Sequence, residues 1–231
     1  MLNLFRTNHL ISGALLIFYA ALVRSVVFIL HPWEKVPDGG GPLADLMYHY
    51  SGNTGLVPEI ICIGIIFINA LIINYLVAHN FLAKEINLFP GLFYILVSSS
   101  VPDFLGLSSL HIANTFLLMA CFSIFEIYKK SSAAKYIFNA GILIGLSSLF
   151  FLPYAIFFLW LIVAVSSLYG LKLSYFFMGL TGLFLPWLYT FLYAFWVGET
   201  VQYYNTFVLQ HIGFFKFEFG QSILDFLPMT I

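Results

Sequence analysis

Residues 89–128 read FPGLFYILVSSSVPDFLGLSSLHIANTFLLMACFSIFEIY, a stretch whose only charged side chains are Asp103 and Glu126. A bilayer core about 30 Å thick takes about 20 helical residues to cross. The run from Phe89 to Val101 is about half that length, Pro102-Asp103 interrupts it, and the run from Phe104 to Tyr128 is long enough to span. Proline removes a backbone donor and clashes with the preceding turn, so one continuous helix is excluded. A broken helix persists at membrane depth only where protein or a water-filled cavity covers the freed backbone groups. The stretch therefore predicts several spans packed around it.

Working outward, His9 to Leu30 is a full span with one internal charge, Arg24. It is too long for a secretory signal and lacks a small-x-small cleavage pattern before His31-Pro32-Trp33, so it reads as a retained first span. A second span opens at Val57-Pro58, with proline in the favoured first turn, and runs to Ala78. Tyr136 to Leu171 is too long for one span, and Pro153 divides it into two short helices that turn back at the membrane surface. A last span runs from Ser174 to Trp196, with a kink expected at Pro186-Trp187. The predicted fold class is all-α: a polytopic transmembrane bundle of about seven helices, several short or proline-broken. It occupies residues 1–196 with a first outer loop at 31–56. Residues 197–231 form an outer-face or interfacial C-terminal segment, where Phe214 to Phe219 alternates at period two. Composition agrees, because 61% hydrophobic and 8% charged residues are far from the roughly 25% charge of a soluble domain.

Charge excludes some functions and orients the rest. A net charge of -1 leaves no basic surface for nucleic acid. Cys62 and Cys121 lie in apolar runs without a second ligand at metal-like spacing, so no disulfide scaffold, metal site or cofactor is expected. Cytoplasmic loops are rich in Lys and Arg, and placing Arg6 inside also puts Lys84, Lys129, Lys130, Lys135 and Lys172 inside. Eight of the ten acids then fall outside, among them Asp38, Asp45, Glu59 and Asp103. The N-terminus is accordingly expected in the cytoplasm.

The order Asn139-Ala140-Gly141-Ile142-Leu143-Ile144-Gly145-Leu146, then Leu149, Pro153 and the apolar helix to Leu171, then Leu185-Pro186-Trp187, resembles a pattern of polytopic glycosyltransferases of the GT-C class. It covers about half the chain and is mostly apolar. Gly141 and Gly145 also make a small-xxx-small face for close helix contact. A second set, Asn80-Phe81, Phe89-Pro90-Gly91-Leu92-Phe93, Ser98-Ser99-Ser100-Val101-Pro102 and Ala113-Asn114-Thr115-Phe116, resembles a bacterial family of multi-pass proteins of somewhat greater length. That implies a further C-terminal part. Together they imply a bacterial inner-membrane protein that handles a polyprenyl-phosphate-linked sugar or related envelope glycolipid on the outer face.

The GT-C resemblance implies a catalytic carboxylate in the first outer loop, where Asp38 and Asp45 are the candidates. Inverting transfer needs a base for the acceptor's proton, a role open to a partly desolvated carboxylate. The loop has no adjacent Asp-Glu pair, unlike many catalytic members, so a catalytically degenerate member is also implied. The alternative is a non-enzymatic subunit of an envelope assembly or transport complex, with a membrane-protein partner. A transporter is disfavoured by the missing inverted repeat.

Each candidate has a structural reading beside the chemical one. Asp38 sits in the turn signal Pro37-Asp38-Gly39, and Asp45 in the first turn of a helix opening near Pro42, facing the positive dipole end. Gly39-Gly40-Gly41 lacks the spacing and lysine of a phosphate-binding loop. Arg24 costs about 2.5–3.5 kcal/mol at a helix centre, less toward the interface. Snorkelling, pairing with Asp103, or gripping a lipid phosphate would offset that. Asp103 either caps the next helix or lines a cavity. His49 and His111 map to the same outer side and join Arg24 and Asp103 as candidate substrate-binding residues, without HxxxH or HxH spacing for a metal. Asn69, Asn74, Asn114 and Asn139 are expected to tie helices together by hydrogen bonds.

Overall fold

In the computed structural model, residues 10–30, 40–52, 55–83, 87–100, 104, 106–128, 133–170, 172–198 and 200–203 are described. All regular structure among them is helical. The helices are α1 (Leu10–Leu30), α2 (Pro42–Ser51), α3 (Leu56–His79), α4 (Phe89–Ser100), α5 (Ser109–Ile127), α6 (Ala134–Phe150), α7 (Phe157–Tyr169), α8 (Leu173–Val197) and α9 (Thr200–Tyr203), with a 3-10 segment Leu152–Ile156 leading into α7. Pro153 lies in the first turn of that segment, where its missing N–H goes unneeded, so the chain reverses there as the sequence predicts. The period-two stretch Phe214 to Phe219 lies outside the described residues.

Among the described residues, four helical segments are long and apolar enough to cross a membrane: Leu56–His79, Ser109–Ile127, Leu152–Tyr169 and Leu173–Val197. Only 17% of the most apolar window of Leu173–Val197 is buried, and α3, α7 and α8 expose Ile60, Tyr75, Leu159, Val163, Phe177 and Phe184. Contiguous apolar surface of this extent is unfavourable in water and is the natural outer surface of a bundle in lipid. The chain has the pattern of a multi-pass membrane protein.

Two compact units divide it, Met1–Thr190 and Phe191–Ile231. The first holds two apolar clusters. One joins α1, α3 and α4 through Leu16, Ala20, Ile66, Ala70, Leu92 and Ile95. The other joins α5, α6 and α7 through Ala120, Ile124, Ile137, Ile144, Leu161 and Val165. Lipid tails are as apolar as leucine, so packing and interhelical hydrogen bonds must hold such helices together. Ser147 Oγ accordingly donates to the Ala113 carbonyl at 2.7 Å, tying α6 to α5. The second unit comprises the end of α8 and α9 among its described residues; it exposes Tyr193, Phe195 and Trp196.

Hydrogen bonds sort the helix ends into two groups. At one end Gly41 N–H donates to the Phe150 carbonyl at 2.8 Å, and Ser109 N–H to the Tyr48 hydroxyl at 3.1 Å. At the other, His79 Nε2 meets Glu126 Oε1 at 3.0 Å and Tyr169 donates to the Ile127 carbonyl at 3.0 Å. This grouping matches the alternation of loops read from charge.

The small-residue face on α6 meets α8. A methyl group on Gly141 would run into the Gly179 carbonyl and lie 3.2 Å from the Gly182 Cα, and one on Gly182 would lie 2.6 Å from the Phe138 carbonyl. Gly145 faces Leu183 and Pro186, and Trp187 Nε1 closes the contact by donating to Ser148 Oγ at 2.8 Å. The obstructing atoms are backbone, so they cannot yield cheaply. Gly141→Ala and Gly182→Ala should each lower stability by about 1–3 kcal/mol. Gly64→Ala on α3, where open space surrounds the added methyl, should leave stability unchanged or raise it by about 0.5–1 kcal/mol. Thermal unfolding of the three variants in one mild detergent checks the ranking.

Candidate functional site

Arg24, in the sixth-last position but one of α1, lies about 9 Å along the axis from that helix's C-terminal end, at 1.5 Å per residue. It is 2% exposed and so does not snorkel to the headgroups. Its Nη2 donates a short hydrogen bond to the Phe104 carbonyl in the break between α4 and α5. His111 Nε2 lies 3.0 Å from the same carbonyl, which requires the tautomer with the proton on Nε2, and His111 is also 2% exposed. Two residues singled out in the sequence thus converge on one backbone oxygen. Cys62 donates to the next described carbonyl of the break, Gly106, at 3.5 Å, and the Arg24 guanidinium also contacts its thiol. Glu59, one turn earlier on α3, is an electrostatic neighbour of Arg24.

Beneath this point a second network crosses three helices. The Tyr94 hydroxyl on α4 accepts from Asn69 Nδ2 on α3 at 3.1 Å and from Asn114 Nδ2 on α5 at 2.8 Å. Asn69 Nδ2 also reaches the His111 carbonyl at 3.2 Å, where Thr115 Oγ1 donates at 3.0 Å. Asn74 Oδ1 accepts from Gly91 N–H at 2.8 Å, satisfying a donor left open at the start of α4. These asparagines tie helices together as expected. Asn139 does not: it is exposed on α6, because the buried face of that helix runs through Ile137, Ala140, Gly141 and Ile144.

Asp45 and His49 occupy a different setting. Both are exposed on α2, four residues apart and therefore on one face. Pro42 opens this helix and Asp45 stands in its first turn, as the structural reading of the loop has it. His49 packs edge-on against the Tyr50 ring, with centroids 5.3 Å apart. On the seated side of α2, Ala44 is buried, Tyr48 accepts from Ser109, and a side chain on Gly41 would strike the Leu149 carbonyl. Asp38 and Asp103 lie outside the described residues. Among the described residues no group of three His, Cys, Asp or Glu side chains could hold a metal ion.

Sequence reasoning missed Phe104, Tyr94 and the proximity of Glu59 to Arg24. The first is a backbone acceptor and carries no side-chain signal. For Glu59 a signal existed: it opens α3 at the end where α1 closes, within reach of the one charge in α1.

No protein-family model, no curated protein and no solved structure matches this chain. The GT-C resemblance therefore rests on the quoted motifs.

With two donors on one carbonyl, losing either leaves the acceptor satisfied, whereas losing both strands it. Arg24→Met and His111→Phe should each cost about 1 kcal/mol. The double variant should lose about 0.5–3 kcal/mol more than their sum. Unfolding of the two single variants and the double variant in detergent measures the coupling, and strict additivity would contradict the shared-acceptor geometry.

Proposed function

We infer that this is a bacterial inner-membrane protein of GT-C-like plan, N-terminus in the cytoplasm, that handles a polyprenyl-phosphate-linked sugar or related envelope glycolipid at its outer face. The observation that carries this reading is α2. It is a short helix in the loop after the first span, held on α5 and α6 through Tyr48 and Gly41, with Asp45 and His49 exposed on one face. A GT-C-like enzyme uses a carboxylate at this position of the chain. In this reading Asp45 is the base for the acceptor's proton, with Asp38 the other candidate in the loop. His49, one turn on, donates to the lipid-linked phosphate. Arg24 and His111 act from below, fixing the Phe104 carbonyl in the break before α5.

One observation favours a second reading, a non-enzymatic subunit of an envelope assembly or transport complex. Arg24 and His111 both spend a donor on the scaffold's own carbonyl, and α2 presents a single carboxylate among its residues.

The deciding experiment is sugar transfer from polyprenyl-phosphate donors by the purified protein in lipid nanodiscs. Turnover lost by about 10²–10⁴-fold in Asp45→Asn, with expression and unfolding temperature unchanged, is the expected result for a general base. Transfer unaffected by both Asp45→Asn and Asp38→Asn would remove the enzymatic reading. A stoichiometric membrane-protein partner in gentle extracts, with no transfer by the wild type, would establish the second.

A further inference from the structure

A shallow open cleft lies between α6, α7 and α8 of the first unit, at the end marked by Tyr169 and Ile127. Its walls are apolar, with Ile137 from α6, Leu161 and Ile162 from α7 and Phe176 from α8, and Lys172 is the one cation among its described lining residues. Lys172 is exposed, its ammonium 5.5 Å from the centroid of the Tyr175 ring, which also lines the cleft. Its carbonyl accepts from Tyr175 and Phe176 N–H at 3.0 and 3.2 Å, so it stands at the very start of α8.

The occupant follows from these surroundings. The flanking surfaces of α7 and α8 expose Leu159, Val163, Leu173 and Phe177, so the cleft opens toward lipid rather than toward water. A water-soluble metabolite would leave its polar groups unpaired against such walls. By the sequence, the loops at this end carry Lys84, Lys129, Lys130, Lys135 and Lys172 against Glu85 and Glu126, and Glu126 is paired with His79, so a second copy would bring like charges together. A basic residue at the mouth of an apolar cleft between membrane helices suits an anionic head group.

We propose that the cleft binds one anionic glycerophospholipid, an acyl chain lying along Ile162 and Phe176 and the phosphate against the Lys172 ammonium. The site is independent of the α2 face and of the reading built on it.

The test is native mass spectrometry of the full chain, loaded in turn with phosphatidylglycerol and with phosphatidylcholine of the same acyl chains. The wild type should retain one phosphatidylglycerol molecule with about fivefold preference, the worth of one lysine near the membrane surface. Lys172→Ala should remove the preference and Lys172→Arg should keep it. Ile162→Trp, which fills the cleft, should abolish retention of both lipids. Equal retention of the two lipids by the wild type overturns the proposal, and so does an undiminished preference in Lys172→Ala. Because Lys172 is a surface residue, that arm remains decisive even if the tryptophan variant does not fold.

Discussion

A single backbone oxygen, the Phe104 carbonyl, sets the terms for half of this bundle. α4 ends at Ser100, before it can cross, and the polar backbone described between α4 and α5 must then find partners inside the protein. A guanidinium from α1 and an imidazole from α5 supply them, and the neighbouring Gly106 carbonyl takes the Cys62 thiol from α3. Three helices that could otherwise slide against one another are thereby fixed in depth. The same contacts account for an arginine buried in an apolar span: its Nη2 meets the fixed dipole of the Phe104 carbonyl, and Glu59 offsets part of its charge.

Fixing the break at the level of Arg24 places the first turn of α5 below the end of α1. α2 closes the resulting gap. Its Tyr48 hydroxyl takes the Ser109 N–H, one of the donors that an α-helix leaves open at its start, while the Ser108 side chain takes that of Leu110. Gly41 can lie against the end of α6 because it has no side chain to collide with Leu149. On the far side of the molecule the binding force changes character. There α6 and α8 approach through Gly141, Gly179 and Gly182 until backbone meets backbone, and dispersion over that close contact replaces the polar ties of the α3–α4–α5 group.

Much of the helical plan was legible because its signals are local. Run lengths and prolines place α3, α4 and α8 within a residue or two of their observed ends, and Pro153 marks the reversal between α6 and α7. α5 starts later than its apolar run, since Gly106 and the capping Ser108 hold the chain out of the helix that Phe104 would otherwise begin. The need for a partner to Arg24 could be read from the cost of its charge. The partner itself could not, being a main-chain oxygen eighty positions away. Asn139 illustrates a second limit. It shares the exposed face of α6 with Lys135, four residues earlier, but an amide in an apolar run reads equally as a buried tie or an exposed group, and the neighbours settle which.

On α2 a seated face and an exposed face alternate. Gly41, Ala44 and Tyr48 recur at the three- and four-residue spacing of a buried face, and Asp45 and His49 repeat that spacing one position later on the exposed one. The hydrogen bonds that seat α2 on α5 and α6 run through the Tyr48 hydroxyl and the Gly41 N–H. At the break the division is reversed: Arg24 and His111 are polar enough to serve a ligand, yet each already donates to the Phe104 carbonyl. Function in this molecule is therefore to be sought first where polar side chains stay exposed, and the face of α2 that carries Asp45 and His49 is one such place.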